Sequence, residues 1–291
     1  MNKDFNKGLL LAGFGSFWWG FIGVLYFKYI AYIGHIELVV HRCLWTTFTL
    51  IISTFLFSKW DIFFNTIKNK KNLIYLFFSG LLIFINWAVW IYAIAIDRII
   101  DASFGYFMMP ILSVLLGYIF FKEKLNKKRI FSIILVMFSI LFLILVSFKS
   151  LPWVGLIVAL SWGFYNLIRK KINIDTDIGL LIESLYILPF AALAFYLIVA
   201  NNHNDFQLSN PPMMLLIFLA GPMTVIPLFL YVRGVELSGL GPTGMIFYIT
   251  PTLQFLLGFF YYDEPFSLTK LVSFIFIWIA VIIYLKDLYE T

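Results

Sequence analysis

The feature that most constrains this chain is a series of ten apolar runs, each close to the roughly 20 residues with which a helix crosses a bilayer. Short polar or Gly/Pro-containing connections separate the runs. None of them shows the two-residue alternation that a membrane-spanning strand requires. The sequence therefore predicts an all-α membrane protein with ten transmembrane helices, beginning near Gly8, Ile36, Leu73, Ser103, Ile130, Trp153, Ile178, Met213, Pro242 and Leu268.

Composition excludes the other broad classes of protein. Hydrophobic residues make up 62% of the 291 residues and charged residues 12%, against about 45–50% and about 25% in soluble domains. The single cysteine, Cys43, excludes an internal disulfide. The net charge of +6 lies in short basic clusters between the runs, where it sets membrane orientation. Nucleic acid is therefore not an expected partner.

The basic residues also predict the orientation in the membrane. When the connections are assigned to alternating sides, 16 of the 21 Lys and Arg residues fall on the side of the amino terminus. Cytoplasmic loops carry the excess of positive charge, so both termini of this multi-pass protein are expected on the cytoplasmic side of the inner membrane. The exceptions are Lys28, Arg98, Lys149 and Lys270 on the opposite side and Arg42 within the second run.

An internal repeat divides the chain into two halves of five helices. Trp19-Gly20-Phe21 in the first run recurs in the sixth as Trp162-Gly163-Phe164. A second set recurs at one common spacing, called the repeat offset below: Pro110, Gly117 and Glu123 return as Pro251, Gly258 and Glu264. Because five is odd, the second copy enters the membrane from the opposite side. The sequence thus predicts two inverted repeats, residues 1–148 and 149–291, around a central cavity.

This architecture favours a solute carrier. Two pseudo-equivalent halves can exchange conformations and expose one site near the midplane to each side in turn. The sequence contains no Gly-rich phosphate-binding loop with Lys-Ser/Thr, so a gradient would drive transport. The expected partners are a small-molecule substrate, a coupling proton or other ion, and the lipid bilayer.

Few ionisable side chains lie within the runs, and each costs at least about 2.5 kcal/mol at the centre of a helix. His41 and Arg42 lie in the second run and Glu183 in the seventh, and the repeat offset separates Arg42 from Glu183. They are candidates for gating or coupling, although backbone carbonyls or snorkelling could also accommodate them. Because the halves are inverted, a direct Arg42–Glu183 ion pair is not expected.

Two further patterns indicate a cavity wall. Asn86 and Trp90 share one face of the third run, and a buried amide needs hydrogen-bond partners. Tyr106 and Pro110 share a stripe with small residues, as do Phe247 and Pro251. The two prolines interrupt the helical hydrogen-bond ladder and could free carbonyls towards a cavity, which makes them gating candidates. The alternative is that the small residues only permit close helix packing.

The motifs, taken in order, resemble the drug/metabolite transporter superfamily with two EamA-type repeats, and within it the RarD branch, described as chloramphenicol-sensitivity proteins. The resemblance runs nearly end to end. One departure is Phe104, where similar sequences usually have an aliphatic residue. The motifs are His41-Arg42 with Trp45, Asn86-Trp87 with Trp90, Ser103 to Phe107 with Pro110, Lys122-Glu123, Arg169-Lys170-Lys171, Glu183, Gly221-Pro222 with Thr224, Tyr248 with Pro251, and Glu264-Pro265.

The resemblance implies a cavity lined mainly by the first, third, fourth, sixth, eighth and ninth spans. It places Arg42 and Glu183 on more peripheral helices, where they would act in gating or hold the bundle together. Relatives of this kind move amino acids, sugars, nucleotide-like metabolites and drugs. The candidate substrate-binding residues are Trp19, Asn86, Trp90, Tyr106, Trp162, Tyr165, Thr224, Tyr248 and Gln254.

Several functions remain open from the sequence. Aromatic walls stack on planar groups and attract cations, so either an amino-acid-like zwitterion or an aromatic or cationic compound fits. The direction could be export of drugs or toxic metabolites. A non-transporting structural or sensor protein is the alternative from another class. An enzyme is not expected, because the three histidines have no metal-ligand spacing, and neither a metal nor a cofactor is predicted.

Overall fold

The computed structural model of the chain describes residues 3–30, 32–95, 99–147, 153–172, 174–207, 209–261 and 268–290. Arg98, Lys149 and Glu264 lie outside the described residues, as do the side chains of Ser103 and Lys270. Within the described ranges, all regular secondary structure is helical.

Twelve helices follow one another along these ranges. The first six are α1 (Lys3–Tyr29), α2 (His35–Leu56), α3 (Trp60–Ile67), α4 (Lys70–Ala95), α5 (Ile99–Phe121) and α6 (Lys127–Ser147). The second six are α7 (Trp153–Lys171), α8 (Thr176–Ala200), α9 (Pro211–Ser238), α10 (Leu240–Ile246), α11 (Ile249–Phe260) and α12 (Leu268–Glu290). Each of the ten predicted apolar runs lies in one of these helices, or in α10 and α11 together.

Seven of the helices contain a segment that is long and apolar enough to cross a membrane: α1, α2, α4, α6, α8, α9 and α12. The chain is therefore an all-α membrane protein. The other three predicted spans are helical but shorter or more polar. In α5 the apolar helix is Gly105–Phe121, α7 ends in three basic residues, and a turn at Phe247 and Tyr248 separates α10 from α11.

The start of α9 and the junction between α9 and α10 are each set by one residue. Asn210 precedes the prolines at the start of α9, and its side-chain oxygen accepts a hydrogen bond from the Met213 N–H at 3.3 Å. Gly239 has a φ of 92°, which glycine adopts without steric cost. That single residue allows α10 to begin directly after α9.

The helices α2 and α8 end in the same backbone conformation. Their C-caps are Phe57, with φ −94° and ψ 8°, and Asn201, with φ −95° and ψ 7°. The next residues, Ser58 and Asn202, have positive φ of 52° and 55°. A left-handed residue after the last turn is a common helix terminus. Corresponding helices of the two halves thus end alike.

A π-helical segment interrupts α1 between Trp18 and Gly23. Such segments insert extra residues into a helix and occur often at functional sites. Here the segment packs against α11, where a Cβ on Gly20 would lie 2.9 Å from the Thr250 backbone. The sequence analysis did not predict this segment, and the matching stretch of α7 is a regular α-helix.

Glycines bring the two sequence halves together through corresponding contacts. In α1, a Cβ on Gly20 would lie 3.0 Å from the Leu253 Cβ, and in α7, a Cβ on Gly163 would lie 3.0 Å from the Leu112 Cγ. The repeat offset separates Leu112 from Leu253. The two glycines therefore face equivalent leucines of the opposite half.

A second glycine pair repeats this arrangement. Gly80 in α4 lies against the backbone of Glu183 in α8, and Gly221 in α9 lies against the backbone of Trp45 in α2. Gly80 and Gly221 are also separated by the repeat offset. The third long helix of each half thus packs closely on the second long helix of the other half.

Hydrogen bonds and packing place several helix ends together. At the end of α9, the Ser238 hydroxyl donates to the Phe5 carbonyl at 2.6 Å, and the Lys170 ammonium donates to the Glu236 carbonyl at 2.7 Å. At its other end, α7 packs Val154 against Ala93 of α4. The start of α1 and the end of α7 therefore lie beside the last turns of α9.

Replacement of Gly221 by Ala is expected to destabilise the protein. The new Cβ would lie 2.6 Å from the Trp45 carbonyl carbon and 2.5 Å from the Thr49 hydroxyl, and overpacking of this kind costs about 1–3 kcal/mol. The apparent melting temperature of detergent-purified protein measures the loss. Gly13→Ala is the matched control, because its Cβ would meet the nearest atom at 3.8 Å. Equal melting temperatures for the two variants would contradict the close helix contact.

Candidate functional site

Rings from four helices meet in a central aromatic cluster, formed by Trp19, Trp162, Tyr231 and Phe247 with Tyr106 and Tyr165 at its edges. The Trp19 and Trp162 rings cross at 80° with centroids 5.0 Å apart, and those of Tyr231 and Phe247 at 76° and 5.3 Å. Edge-to-face pairs of this kind are favourable beyond the area they bury. The two tryptophans of the repeated Trp-Gly-Phe motif are thus in contact, which the repeat alone did not predict.

Tyr106 adjoins the central aromatic cluster from α5. Its ring lies 5.8 Å from that of Phe247, and it is half-buried. Nearby, the Tyr248 hydroxyl donates to the Phe107 carbonyl at 2.9 Å. Tyr106 corresponds to Phe247, and Phe107 to Tyr248, at the repeat offset. Corresponding residues of the two halves therefore contact each other here.

Arg42 lies beside this region and is 5% exposed. Its guanidinium carbon stands over the rings of Trp87, at 4.7 Å from the centroid, and Phe27, at 5.0 Å. Its Nε donates to the hydroxyl of Thr224 at 3.0 Å. Residues of α1, α2, α4 and α9 thus surround this cation.

Glu183 belongs to a buried network at some distance from Arg42. Its Oε1 accepts from the Ser79 hydroxyl at 2.6 Å and lies 3.4 Å from Arg169 Nη1, and its Oε2 accepts from the Tyr165 hydroxyl at 3.3 Å. Arg169 is fully buried and also lies 3.6 Å from Glu236. The network joins α4, α7, α8 and α9.

Arg42 and Glu183 have different partners and do not form an ion pair with each other. From the sequence, Arg169 stands only in the basic triplet Arg169-Lys170-Lys171, and its ion pair with Glu183 was not predicted. A carboxylate within a span commonly pairs with a basic residue. The position of Glu183 in the seventh run was therefore a signal for a buried basic partner. Phe247 was noticed only as the counterpart of Tyr106, and Tyr231 gave no signal.

His41 lies in a separate contact. Its Nε2 is 3.3 Å from Glu37 Oε1, and Glu37 also accepts the backbone N–H groups of Asp205 and Phe206 at 2.8–3.0 Å. Glu37 therefore ties the start of α2 to the connection between α8 and α9, with His41 beside it.

Of the nine predicted substrate-binding residues, four have polar groups bonded within the protein. Asn86 donates to the Val158 carbonyl and the Ser161 hydroxyl, Tyr165 donates to Glu183, Thr224 accepts from Arg42, and Tyr248 donates to Phe107. Trp162 is buried in the central aromatic cluster. The half-buried members are Trp19, Trp90, Tyr106 and Gln254. Substrate contact by any of the nine stays a prediction.

The two prolines have different surroundings. Pro110 lies inside α5, whereas Pro251 lies in the first turn of α11. Pro251 cannot bond the Phe247 carbonyl, and that carbonyl accepts the Thr250 N–H at 2.9 Å instead. A tighter turn therefore gives the Phe247 carbonyl a donor, and a gating role for Pro251 stays a prediction.

Glu123 closes one end of α10. Its two carboxylate oxygens accept the N–H groups of Leu240 and Gly241 at 2.8 and 2.9 Å, as expected of a capping carboxylate. Burial raises the pKa of the Glu123 carboxyl, while the two N–H donors act in the lowering direction. The carboxylate thus links the end of the first half to the second half. Glu264, its counterpart, lies outside the described residues.

A bundle of long apolar helices, joined by corresponding contacts around buried charged and aromatic residues, is typical of polytopic membrane transporters. The comparisons agree with that class. The model of the EamA-like transporter family matches residues 6–145 and 150–286, and the chain belongs to this family.

Two relatives and one solved structure show which proteins this chain is similar to. Protein RarD of Escherichia coli (strain K12) is 33% identical over 285 residues, covering 98% of this chain and 96% of the relative. A protein of Vibrio cholerae described as an uncharacterized transporter is 34% identical over 285 residues, covering 98% and 94%. A crystal structure shares the fold, with a TM-score of 0.71 and 13% identity, covering 96% of this chain and 97% of that one. The predicted resemblance to the RarD branch is confirmed.

Replacement of Glu183 by Gln is expected to lower stability strongly, because it leaves the Arg169 guanidinium short of a counter-charge. Breaking a buried ion pair costs about 3–5 kcal/mol. The apparent melting temperature in detergent measures the loss. Glu290→Gln is the control, since its pair with Lys128 is exposed and surface pairs contribute little. An equal effect of the two substitutions would show that the buried network does not hold the helices together.

Proposed function

We propose that the protein is a secondary active transporter that moves a small metabolite across the cytoplasmic membrane by alternating access. Two inverted five-helix repeats, residues 1–148 and 149–291, would enclose the substrate site. The observation that carries the proposal is the exchange of corresponding contacts between the halves. The two matched segments of the family model, 6–145 and 150–286, agree with this division.

The exchange of contacts supports a two-fold relation between the halves. Gly20 faces Leu253, and Gly163 faces Leu112, so swapping the halves maps one contact onto the other. Corresponding residues can touch each other only near the axis that relates them. The contact between Tyr106 and Phe247 supports an axis beside the central aromatic cluster.

The direction of the helices supports inversion. Phe5, in the first turn of α1, and Lys170, near the end of α7, both contact the last turns of α9. The corresponding first helices of the halves therefore run in opposite directions. A rocking motion that opens the site to one side would then have a counterpart opening to the other side.

Contacts between connections support the proposed orientation. Lys59 forms ion pairs with Asp175 and Asp177, and Thr176 donates to Glu236, close to the start of α1. Arg129, in the first turn of α6, pairs with Asp287 near the end of α12, and Glu123, in the connection before α6, binds the start of α10. The start of α1 and the end of α12 thus lie with these basic segments, which supports a cytoplasmic position for both termini under the positive-inside rule.

The half-buried aromatic rings of the site indicate a broad class of substrate. The half-buried rings of Trp19, Trp90 and Tyr106 offer stacking surface for an amino-acid-like zwitterion or an aromatic compound. His41, Arg42, Glu183, Pro110 and Pro251 remain the candidates for gating or coupling to a proton or ion. Export of drugs or toxic metabolites is the alternative function. The same fold and the same alternating-access cycle would serve it.

Cysteine labelling tests the inverted arrangement. In a Cys43→Ala background, the matched C-caps of α2 and α8 are replaced singly, as Phe57→Cys and Asn201→Cys, since both residues are exposed. A membrane-impermeant maleimide applied to intact cells is expected to label Asn201→Cys, and Phe57→Cys only after permeabilisation. Labelling of both from the same side would indicate parallel copies and overturn the proposal.

Counterflow in proteoliposomes tests transport itself. Vesicles loaded with unlabelled amino acids, organic acids or aromatic amines, one at a time, are expected to accumulate the labelled form of at least one of them. Tyr106→Ala should reduce that exchange about ten-fold, the equivalent of about 1.4 kcal/mol. Tyr118→Ala, at a 54% exposed position of the same helix, should leave it unchanged. Exchange of no compound by the intact protein would instead favour a non-transporting sensor.

A further inference from the structure

Among the described residues, Arg42 is a buried cation of the central region with no counter-charge beside it. Arg169 is equally buried but has Glu183 at 3.4 Å and Glu236 at 3.6 Å. For Arg42, the described ranges supply no carboxylate within ion-pair distance. Its polar contact there is the one from Nε to Thr224, which leaves the two terminal nitrogens without an acceptor.

Such an arrangement is costly unless an anion completes it. A guanidinium stays protonated even when buried, and a buried charge without a counter-charge is strongly destabilising. The rings of Trp87 and Phe27 lower this cost through cation–π attraction, which amounts to about 2 kcal/mol at desolvated sites. They do not supply hydrogen-bond acceptors in the plane of the guanidinium.

We propose that Arg42 binds the carboxylate of the transported substrate. The planar fork of terminal N–H groups matches a carboxylate through two parallel hydrogen bonds, and Thr224 holds Nε so that the terminal groups remain available. The inference rests on the proposed transport function and narrows its substrate class. It favours organic acids, including amino-acid zwitterions, over cationic compounds, which the guanidinium would repel.

The surroundings indicate where the rest of the substrate lies. The Trp87 ring beneath Arg42 belongs to the same packed group of side chains as Tyr106. Tyr106 in turn contacts Phe247 of the central aromatic cluster. On the other side, the Phe27 ring lies 5.8 Å from Trp90. Trp90 and Tyr106 are both half-buried, so an apolar or aromatic tail has rings to contact beside the bound carboxylate.

The test measures ligand-induced thermal shifts of the detergent-purified full chain. The probes are 3-phenylpropionate, indole-3-acetate, phenylalanine and tryptophan, compared with 3-phenylpropionamide, indole-3-acetamide and the cationic amines phenethylamine and tryptamine. A ligand that binds the native state raises its apparent stability. At least one carboxylate is expected to raise the melting temperature of the wild-type protein, whereas the amides and the amines are not.

Variants assign the effect to Arg42. Arg42→Gln is expected to weaken carboxylate binding by about ten- to a hundred-fold, the usual range for a charged hydrogen bond, and Arg42→Lys to weaken it less. Arg233→Gln removes a cation that is 46% exposed and should leave binding unchanged. If Arg42→Gln fails to fold, the comparison of acids with amides in the wild type and the Arg42→Lys variant still decide the question.

The outcomes separate this inference from the proposed function. Amines or amides that stabilise the protein as well as the acids do, or a lack of stabilisation by every acid, overturn the carboxylate assignment while counterflow of another compound still supports a transporter. Chloride or sulfate acting as well as the acids, with loss in Arg42→Gln, shows an inorganic anion site and also overturns it. Acids that bind through Arg42 but never exchange in counterflow support the site and contradict the transport function.

Discussion

The structure depends on one constraint: a charged group within the bilayer has no bulk water beside it and needs a partner in the protein or in a bound ligand. Charged side chains at such depth pair with one another or with backbone carbonyls, or face a water-filled cavity. Arg169 and Glu183 meet this constraint together, and the hydroxyls of Ser79 and Tyr165 complete the carboxylate's contacts. Because these groups belong to different helices, satisfying the charge also fixes how the helices pack.

Close backbone approach provides the second means of packing. Apolar side chains gain little by leaving lipid for a helix interface, and membrane helices therefore associate through small residues that let their backbones come near. Gly80 and Gly221 act in this way at corresponding interfaces. The proposed repeats thus interlock, with each half supplying the surface on which a helix of the other half packs, so neither half completes its interfaces alone.

Much of the fold was predictable because hydropathy is a local signal. The ten apolar runs, their approximate starting points and the repeat offset follow from residue order alone. The short helix α3 was not predicted because its eight residues are too few to cross a membrane. The π segment at Trp18–Gly23 depends on packing against α11, and the burial of Arg169 depends on where α8 brings Glu183. No single stretch of sequence contains that information.

The candidate site was also predictable only in part from the sequence. Trp19 and Trp162 were found through the repeat, and they are in contact. Asn86 drew attention as a buried amide, and its amide group joins α4 to α7. The sequence did not predict which of two buried charges at equivalent positions has a counter-charge beside it. Arg42 and Glu183 correspond by offset, yet Glu183 has a cation beside it and Arg42 has aromatic rings and a hydroxyl. The two proposed repeats therefore differ in electrostatics, and a carrier built from them would offer its substrate a positive group from one repeat and aromatic rings from both.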